Sequence, residues 1–205
     1  MVSFCGVNVR VDPYVYVPRW LSEPLARRAV DRLPEQGTAI DLCTGSGAIA
    51  RVLREHRPRA RVVASDVDAR AVACAAANGV EVHGGDLFAP LPGELAGAVD
   101  VVVGVVPYVP TPELSLLQRD TFTFETPLSY DGGPDGTGIL RRVISDSPRY
   151  LRPGGALLLE VGGDQPGLLT DELVRHGFGD LIILTDEDGD ARGVEATFGH
   201  ATAAP

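Results

Sequence analysis

Asp41-Leu42-Cys43-Thr44-Gly45-Ser46-Gly47 places two glycines between a short apolar run and an amphipathic one. Glycines there permit a tight turn and a close ligand approach, and a following helix offers unpaired N–H groups. Asp66 lies 19 residues beyond Gly47, at the end of a second apolar run. A carboxylate at that point reaches the ribose hydroxyls of an adenosine cofactor. Asp86, in Gly84-Gly85-Asp86-Leu87-Phe88, ends a third run, where it can accept a hydrogen bond from an adenine amino group. The loop alone also satisfies the dinucleotide fingerprint, so the glycines do not choose between NAD and S-adenosylmethionine.

The elements that position these residues alternate in type. Strands are predicted at Thr38–Cys43, Arg61–Ser65, Val80–His83, Val99–Val106 and Ala156–Val161, with a final pair at Leu181–Leu184 and Gly193–Phe198. Helices are predicted at Ala48–Glu55, Ala69–Asn78, Thr137–Leu151 and Pro166–His176, the third closed by Pro153-Gly154-Gly155. An earlier helix follows Ser22 with Leu25, Ala29, Val30 and Leu33 as its apolar stripe. Residues 2–17 read as a hairpin turning at Asp12-Pro13. Alternation of this kind builds a mostly parallel sheet with helices on both faces. The last two strands lack room for a crossover helix and should be antiparallel neighbours. One domain over 1–205 is expected, with 1–35 as a hairpin-and-helix cap and 107–136 as an acceptor-side loop.

Composition removes several alternatives. The 18 basic residues are all Arg, so a Walker lysine, a pyridoxal lysine and a Tyr-x-x-x-Lys dehydrogenase relay cannot be built. Without that relay, and with Asp86 and the antiparallel final pair, the adenosine cofactor is expected to be S-adenosylmethionine. A net charge of −10 disfavours nucleic acid as a partner. The arginines crowded between Arg51 and Arg61 read as a solvated helix end. Cys5, Cys43 and Cys74 are too few and too scattered for a zinc site or a disulfide framework. No leader is visible at the N-terminus, and the longest apolar run is too short to cross a membrane, so the chain reads as soluble and cytoplasmic. His56, His83, His176 and His200 share no motif and read as structural or surface residues.

The chain resembles the HemK/PrmC-type methyltransferases, which modify the side-chain amide of a glutamine in peptide-chain release factors. The resemblance runs from about Val15 to the C-terminus. It rests on Val17-Pro18-Arg19, the Asp41–Ala50 loop, Ser65-Asp66-Val67-Asp68, Gly85-Asp86-Leu87-Phe88 and Val106-Pro107-Tyr108-Val109-Pro110. Further along it rests on Phe124-Glu125-Thr126-Pro127, Asp131-Gly132-Gly133-Pro134-Asp135-Gly136 and Pro153–Glu160. It implies a class I methyltransferase Rossmann-like fold with seven strands, the last antiparallel, and a metal-independent in-line methyl transfer. Cys43, Thr44, Gly45, Ser46, Gly47, Asp66, Val67, Asp86, Leu87 and Val105 would then line the cofactor pocket. Cys43 stands where many such loops have glycine and reads as a small buried hydrophobe turned from the ligand.

Two departures bear on the acceptor. The family carries Asn-Pro-Pro-Tyr where this chain has Val105-Val106-Pro107-Tyr108. In the family the asparagine oxygen and the next carbonyl take up the two amide N–H groups and steer the nitrogen lone pair toward the methyl group. Val105 cannot accept, whereas the Val106 carbonyl can. The family's helical N-terminal domain also has no counterpart in the roughly twenty residues before the first helix. The acceptor expected from these departures is a small molecule or a peptide. A release-factor glutamine is the alternative, and a non-catalytic S-adenosylmethionine-binding relic is a second. Pro107, Tyr108 and Glu125 are the acceptor-side candidates, with Tyr108 orienting the acceptor and Glu125 as a base.

Overall fold

The computed structural model describes residues 1–117 and 121–199. His200 and a short part of the 107–136 loop lie outside the described residues. Nine strands and six α-helices follow one another along the described chain.

A two-stranded hairpin, β1 (Val2–Phe4) and β2 (Val7–Val9), opens the chain, with Phe4 opposite Val7. It turns at Cys5-Gly6, not at Asp12-Pro13 as expected. Both turn residues have positive φ, +48° and +78°, which matches the turn to the right-handed twist of the strands. Val11, Val15 and Val17 follow as irregular chain, so their alternation marks burial without a ladder. Helix α1 (Glu23–Arg32) buries Leu25, Ala26, Ala29 and Val30.

The main sheet comprises β3 (Thr38–Leu42), β4 (Arg61–Asp66), β5 (Glu81–Gly84), β6 (Val99–Gly104), β7 (Leu151–Glu160), β8 (Phe178–Thr185) and β9 (Ala191–Phe198). Their order is β5-β4-β3-β6-β7-β9-β8. The first five run parallel, and β9 is antiparallel to both β7 and β8. This is the seven-stranded class I methyltransferase sheet with an antiparallel final strand that the sequence predicts. The direction of crossover reverses between β3 and β6, which opens a crevice at their C-terminal ends.

Alternate residues feed two cores. Ile40, Leu42, Val102, Leu157 and Leu159 face one side, where Leu140, Val143 and Ile144 of α5 (Gly138–Asp146) and Leu169 and Leu173 of α6 (Gln165–Arg175) cover them. Ala39, Val101, Val103, Ala156 and Leu158 face the other, under α1, α2 (Ala48–His56) and α3 (Ala69–Ala77). Two-sided burial explains why these strands read as continuous apolar runs. A single turn, α4 (Thr121–Phe124), lies within the long loop.

Several boundaries differ from expectation. The helix expected over 137–151 stops at Asp146, because Pro148 enters a 3-10 turn over Ser147–Arg149. Pro153-Gly154-Gly155 lies inside β7, where the register against β6 shifts, so the strand begins at Leu151. Strand β6 ends at Gly104, which leaves Val105 and Val106 in the loop beyond it. The arginines after α2 are paired: Arg57 Nε donates to the Leu33 carbonyl at 2.9 Å, and Arg61 bridges Glu81 and Glu94 at 3.1 and 3.3 Å. Among the described residues no helix is long and apolar enough to cross a membrane.

Candidate active site

The end of β3 turns into α2 through a loop whose backbone is left-handed at Cys43, Gly45 and Gly47, with φ of +52°, +56° and +79°. Gly47 has no substitute, since a Cβ there would sit 2.9 Å from Val80 Cγ2. Cys43 holds its strained φ while packing against the α5–α6 core, and burial pushes its thiol far above the ordinary range. That shift disfavours the thiolate at neutral pH.

Asp41 is buried beneath this loop, accepting from Thr44 Oγ1 at 2.6 Å and the Ala50 amide at 3.1 Å. Burial pushes its carboxyl up to about 7, with those hydrogen bonds opposing the shift. An unfolded aspartate ionises near pH 4, so between about 4 and 7 the folded state holds a proton that the unfolded state has lost. The Asp41 contribution is therefore full below about pH 4 and disappears as pH rises to about 7. Asp41→Asn should flatten stability against pH across that window. Urea titrations at its two ends check this, and an unchanged slope would assign it to another group.

Asp66 closes β4. Its Oδ2 accepts the Gly45 amide at 2.8 Å and its Oδ1 the Asp68 amide at 2.9 Å. A carboxylate has about four acceptor sites, so two remain for ribose hydroxyls. Burial raises the Asp66 carboxyl, and the backbone N–H groups oppose it. Asp86 is ion-paired, with Arg142 of α5 bonding its Oδ2 at 2.5 Å. Leu87 is held by Ser65 Oγ, which donates to its carbonyl at 2.7 Å, and Val67 stands 65% exposed at the rim.

Beyond β6, Val105, Val106, Pro107 and Tyr108 form the facing wall of the same cavity. Val105 packs partly against the α1–α2 core. Among the described residues nothing donates a hydrogen bond to the Val105 or Val106 carbonyl. The Tyr108 hydroxyl donates to Glu160 Oε1 at 3.0 Å, and its carbonyl accepts from Gln165 Nε2 at 2.7 Å. Glu160 is buried, and burial raises its carboxyl; the nearby Ser22 hydroxyl lowers it without making a regular hydrogen bond.

Glu125 is neither a base facing the cavity nor a solvated lid carboxylate. It is 5% exposed and ion-paired with Arg19 at 2.8 Å. It also accepts from the Val17 amide at 3.1 Å and from the Tyr130 hydroxyl. The pair ties residues 14–19 to residues 125–131, and together these two segments roof the cavity. Glu125→Ala strands the Val17 and Tyr130 donors and should cost about 1–3 kcal/mol in urea unfolding. A loss near zero would mean that the roof is held elsewhere. His56, His83 and His176 stand apart from this constellation, His176 beside Glu172 at 3.2 Å.

The cavity enclosed by these walls is about 460 Å³ and is lined from Gly45, Asp66 and Asp86 across to Val105 and Tyr108. That lies within the range of small-molecule sites, about 300–1,000 Å³. Its lining sets the α2 N-terminus, the Asp66 and Asp86 carboxylates and several hydroxyls among aliphatic and tyrosine side chains. That donor set fits an adenosine cofactor with a free amino acid end.

Sequence reasoning named the loop, Asp66, Asp86 and Tyr108. It missed Gln165, Arg142, Tyr16 and Tyr130. A glutamine in the first turn after Glu160-Val161-Gly162-Gly163 was the only local sign of Gln165.

Residues 22–89 match the family model described as the methyltransferase small domain. A release factor glutamine methyltransferase of Geobacter sulfurreducens is 34% identical over 204 residues, covering 96% of this chain and 70% of that protein. A ribosomal protein uL3 glutamine methyltransferase of Bradyrhizobium diazoefficiens is 34% identical over 206 residues, covering 92% and 61%. Among solved structures, a release-factor-specific protein-(glutamine-N5) methyltransferase from Alicyclobacillus acidocaldarius superposes with a TM-score of 0.55. It is 25% identical, with 92% of this chain and 98% of that chain covered.

Proposed function

Because the chain belongs to the HemK/PrmC-type family of S-adenosylmethionine-dependent protein-glutamine methyltransferases, we propose that it methylates the side-chain amide of a glutamine in a protein acceptor. It is an S-adenosylmethionine-dependent methyltransferase. The preference for a small molecule or a peptide other than a release-factor glutamine, drawn from Val105 and the N-terminal departure, gives way here. The relatives that cover most of this chain are named for glutamine in release factors or a ribosomal protein.

When bound, S-adenosylmethionine supplies an electrophilic methyl group on a sulfonium. The residues around it divide the remaining work. Asp66 would accept from the ribose hydroxyls with the acceptor sites left after Gly45 and Asp68. Asp86, already paired with Arg142 through one oxygen, would have the other free for the adenine amino group. Val67 and Leu87 would flank the base, and Cys43 to Gly47 would border the amino acid end, where the α2 N-terminus favours a carboxylate.

Val105 to Tyr108 orient the acceptor. An amide nitrogen is a weak nucleophile because its lone pair is delocalised into the carbonyl. A hydrogen bond from its N–H to the Val106 carbonyl turns that lone pair toward the methyl carbon. Val105 supplies no second acceptor, and Pro107 and the Tyr108 ring flank the glutamine side chain. The nitrogen gains the methyl as the sulfonium carbon–sulfur bond breaks, the sulfur leaving as the neutral thioether of S-adenosylhomocysteine, and the nitrogen then sheds one proton to solvent.

The observation that carries this reading is the meeting of the cofactor cradle and the Pro107-Tyr108 loop in one cavity. Labelled methyl transfer tests it with a release factor and a metabolite pool in competition. Label should accumulate on the protein; label on metabolites alone would restore the small-molecule reading.

A further inference from the structure

We propose that Gln165 is a positioning residue for the acceptor loop, acting through Tyr108 and not on the substrate. The proposal rests on the glutamine-transfer reading for its kinetic consequence, while its structural half stands alone.

The loop leaves β6 at Gly104 and loses the sheet ladder there. What replaces the ladder is a clamp. Gln165 is 4% exposed and does not line the cavity. Its Oε1 accepts the Gly162 amide at 3.0 Å, and its Nε2 donates to the Tyr108 carbonyl at 2.7 Å. With both ends of the amide engaged, its orientation is determined. Glu160, one strand-end away, takes the Tyr108 hydroxyl at 3.0 Å.

The opposite jaw is the Asp131–Gly136 motif, which methyl transfer leaves unexplained. A Cβ on Gly136 would lie 2.2 Å from the Tyr108 carbonyl oxygen and 2.5 Å from Gln165 Nε2. One on Gly132 would lie 2.8 Å from Tyr108 Cα. The glycines let the motif close on the loop, and the Val109 amide bonds the Tyr130 carbonyl at 2.9 Å while the Gly132 amide bonds that of Val109 at 2.9 Å.

The clamp matters here because Val105 has no polar side chain. The acceptor atoms of this loop near the transferred methyl are main-chain carbonyls, and their aim is set by whatever fixes Tyr108. A small error in that aim is costly in an oriented transfer.

Two variants test the idea in the full chain with S-adenosylmethionine and a release factor as probe. Gln165→Leu should lower kcat about tenfold while S-adenosylhomocysteine affinity stays within about twofold. Gln165→Glu keeps size and gives a signature that mere packing would not. Ionised, it sets a carboxylate oxygen against the Tyr108 carbonyl; protonated, it donates to that carbonyl and still accepts from Gly162. Its kcat relative to the native protein should therefore recover as pH falls. Native kcat in both variants, or a ratio flat with pH, would overturn the proposal.

Hydrogen exchange with bound S-adenosylhomocysteine needs no acceptor. The Val109 and Gly132 amides should exchange at least about tenfold faster in either variant. Unchanged exchange also overturns the clamp. Faster exchange in a protein whose native form labels neither a release factor nor ribosomal protein uL3 would retain the clamp and reject the glutamine reading.

Discussion

Val105→Asn should raise methyl transfer to a release-factor glutamine by about ten- to a hundredfold. Val105 occupies the position where the resemblance places an asparagine, on the cavity wall and next to the Val106 carbonyl. One added acceptor for the second amide N–H contributes about 1–3 kcal/mol, and each 1.4 kcal/mol is tenfold in rate. The opposing effect is the cost of the new side chain in the resting enzyme. Val105 packs partly against the α1–α2 core, so an amide there needs partners that valine does not. An unmet polar group costs about 1–3 kcal/mol of stability, but the substrate amide satisfies the oxygen in the transition state. The gain should therefore appear in kcat at saturating cofactor, with a lowered melting temperature beside it. A native or lower rate in a folded variant would mean that this wall is not built around an amide.

Asp66→Ala should weaken S-adenosylhomocysteine binding by about tenfold to somewhat over a hundredfold. Charge-assisted hydrogen bonds to the ribose contribute about 1.5–3 kcal/mol. The substitution also releases the Gly45 and Asp68 amides, so the Gly45–Gly47 cradle loses its tie to β4. Asp66→Asn should fall between the two, keeping an acceptor without the charge. Calorimetry with S-adenosylhomocysteine measures all three proteins, and NAD should give no heat with any of them. Unaltered affinity in Asp66→Ala would move the ribose contact to another residue.

Much of this site was legible because its signals are local. The β3–α2 loop and Asp66 close buried strands, which announce themselves as apolar runs, whereas Asp86 follows the half-exposed strand β5 and was read from its glycine-flanked motif. The hairpin was misplaced because valines alternate on both sides of Asp12-Pro13, while the turn is determined by two positive φ values at Cys5-Gly6. Glu125 was misread for a different reason. Its partner Arg19 lies 106 residues away, and no periodicity reports a pairing at that distance. Gln165 and Tyr108, 57 residues apart, are the same case.

The acceptor was the least legible feature. Val105 carries no chemical handle, so its apolar side chain pointed toward a small molecule or a peptide other than a release-factor glutamine. The relatives, which match over nearly the whole chain, point toward a protein glutamine.

The most direct measurement is labelled transfer from S-adenosylmethionine to an intact release factor, followed by mass spectrometric mapping of the methylated residue. The same reaction should be run with ribosomal protein uL3 and with a release factor whose Gly-Gly-Gln glutamine is replaced by alanine. The account predicts one methyl group on a glutamine side-chain amide and none on the alanine form of the same acceptor. Methylation of another residue type, or label on neither protein while S-adenosylhomocysteine binds firmly, would contradict it.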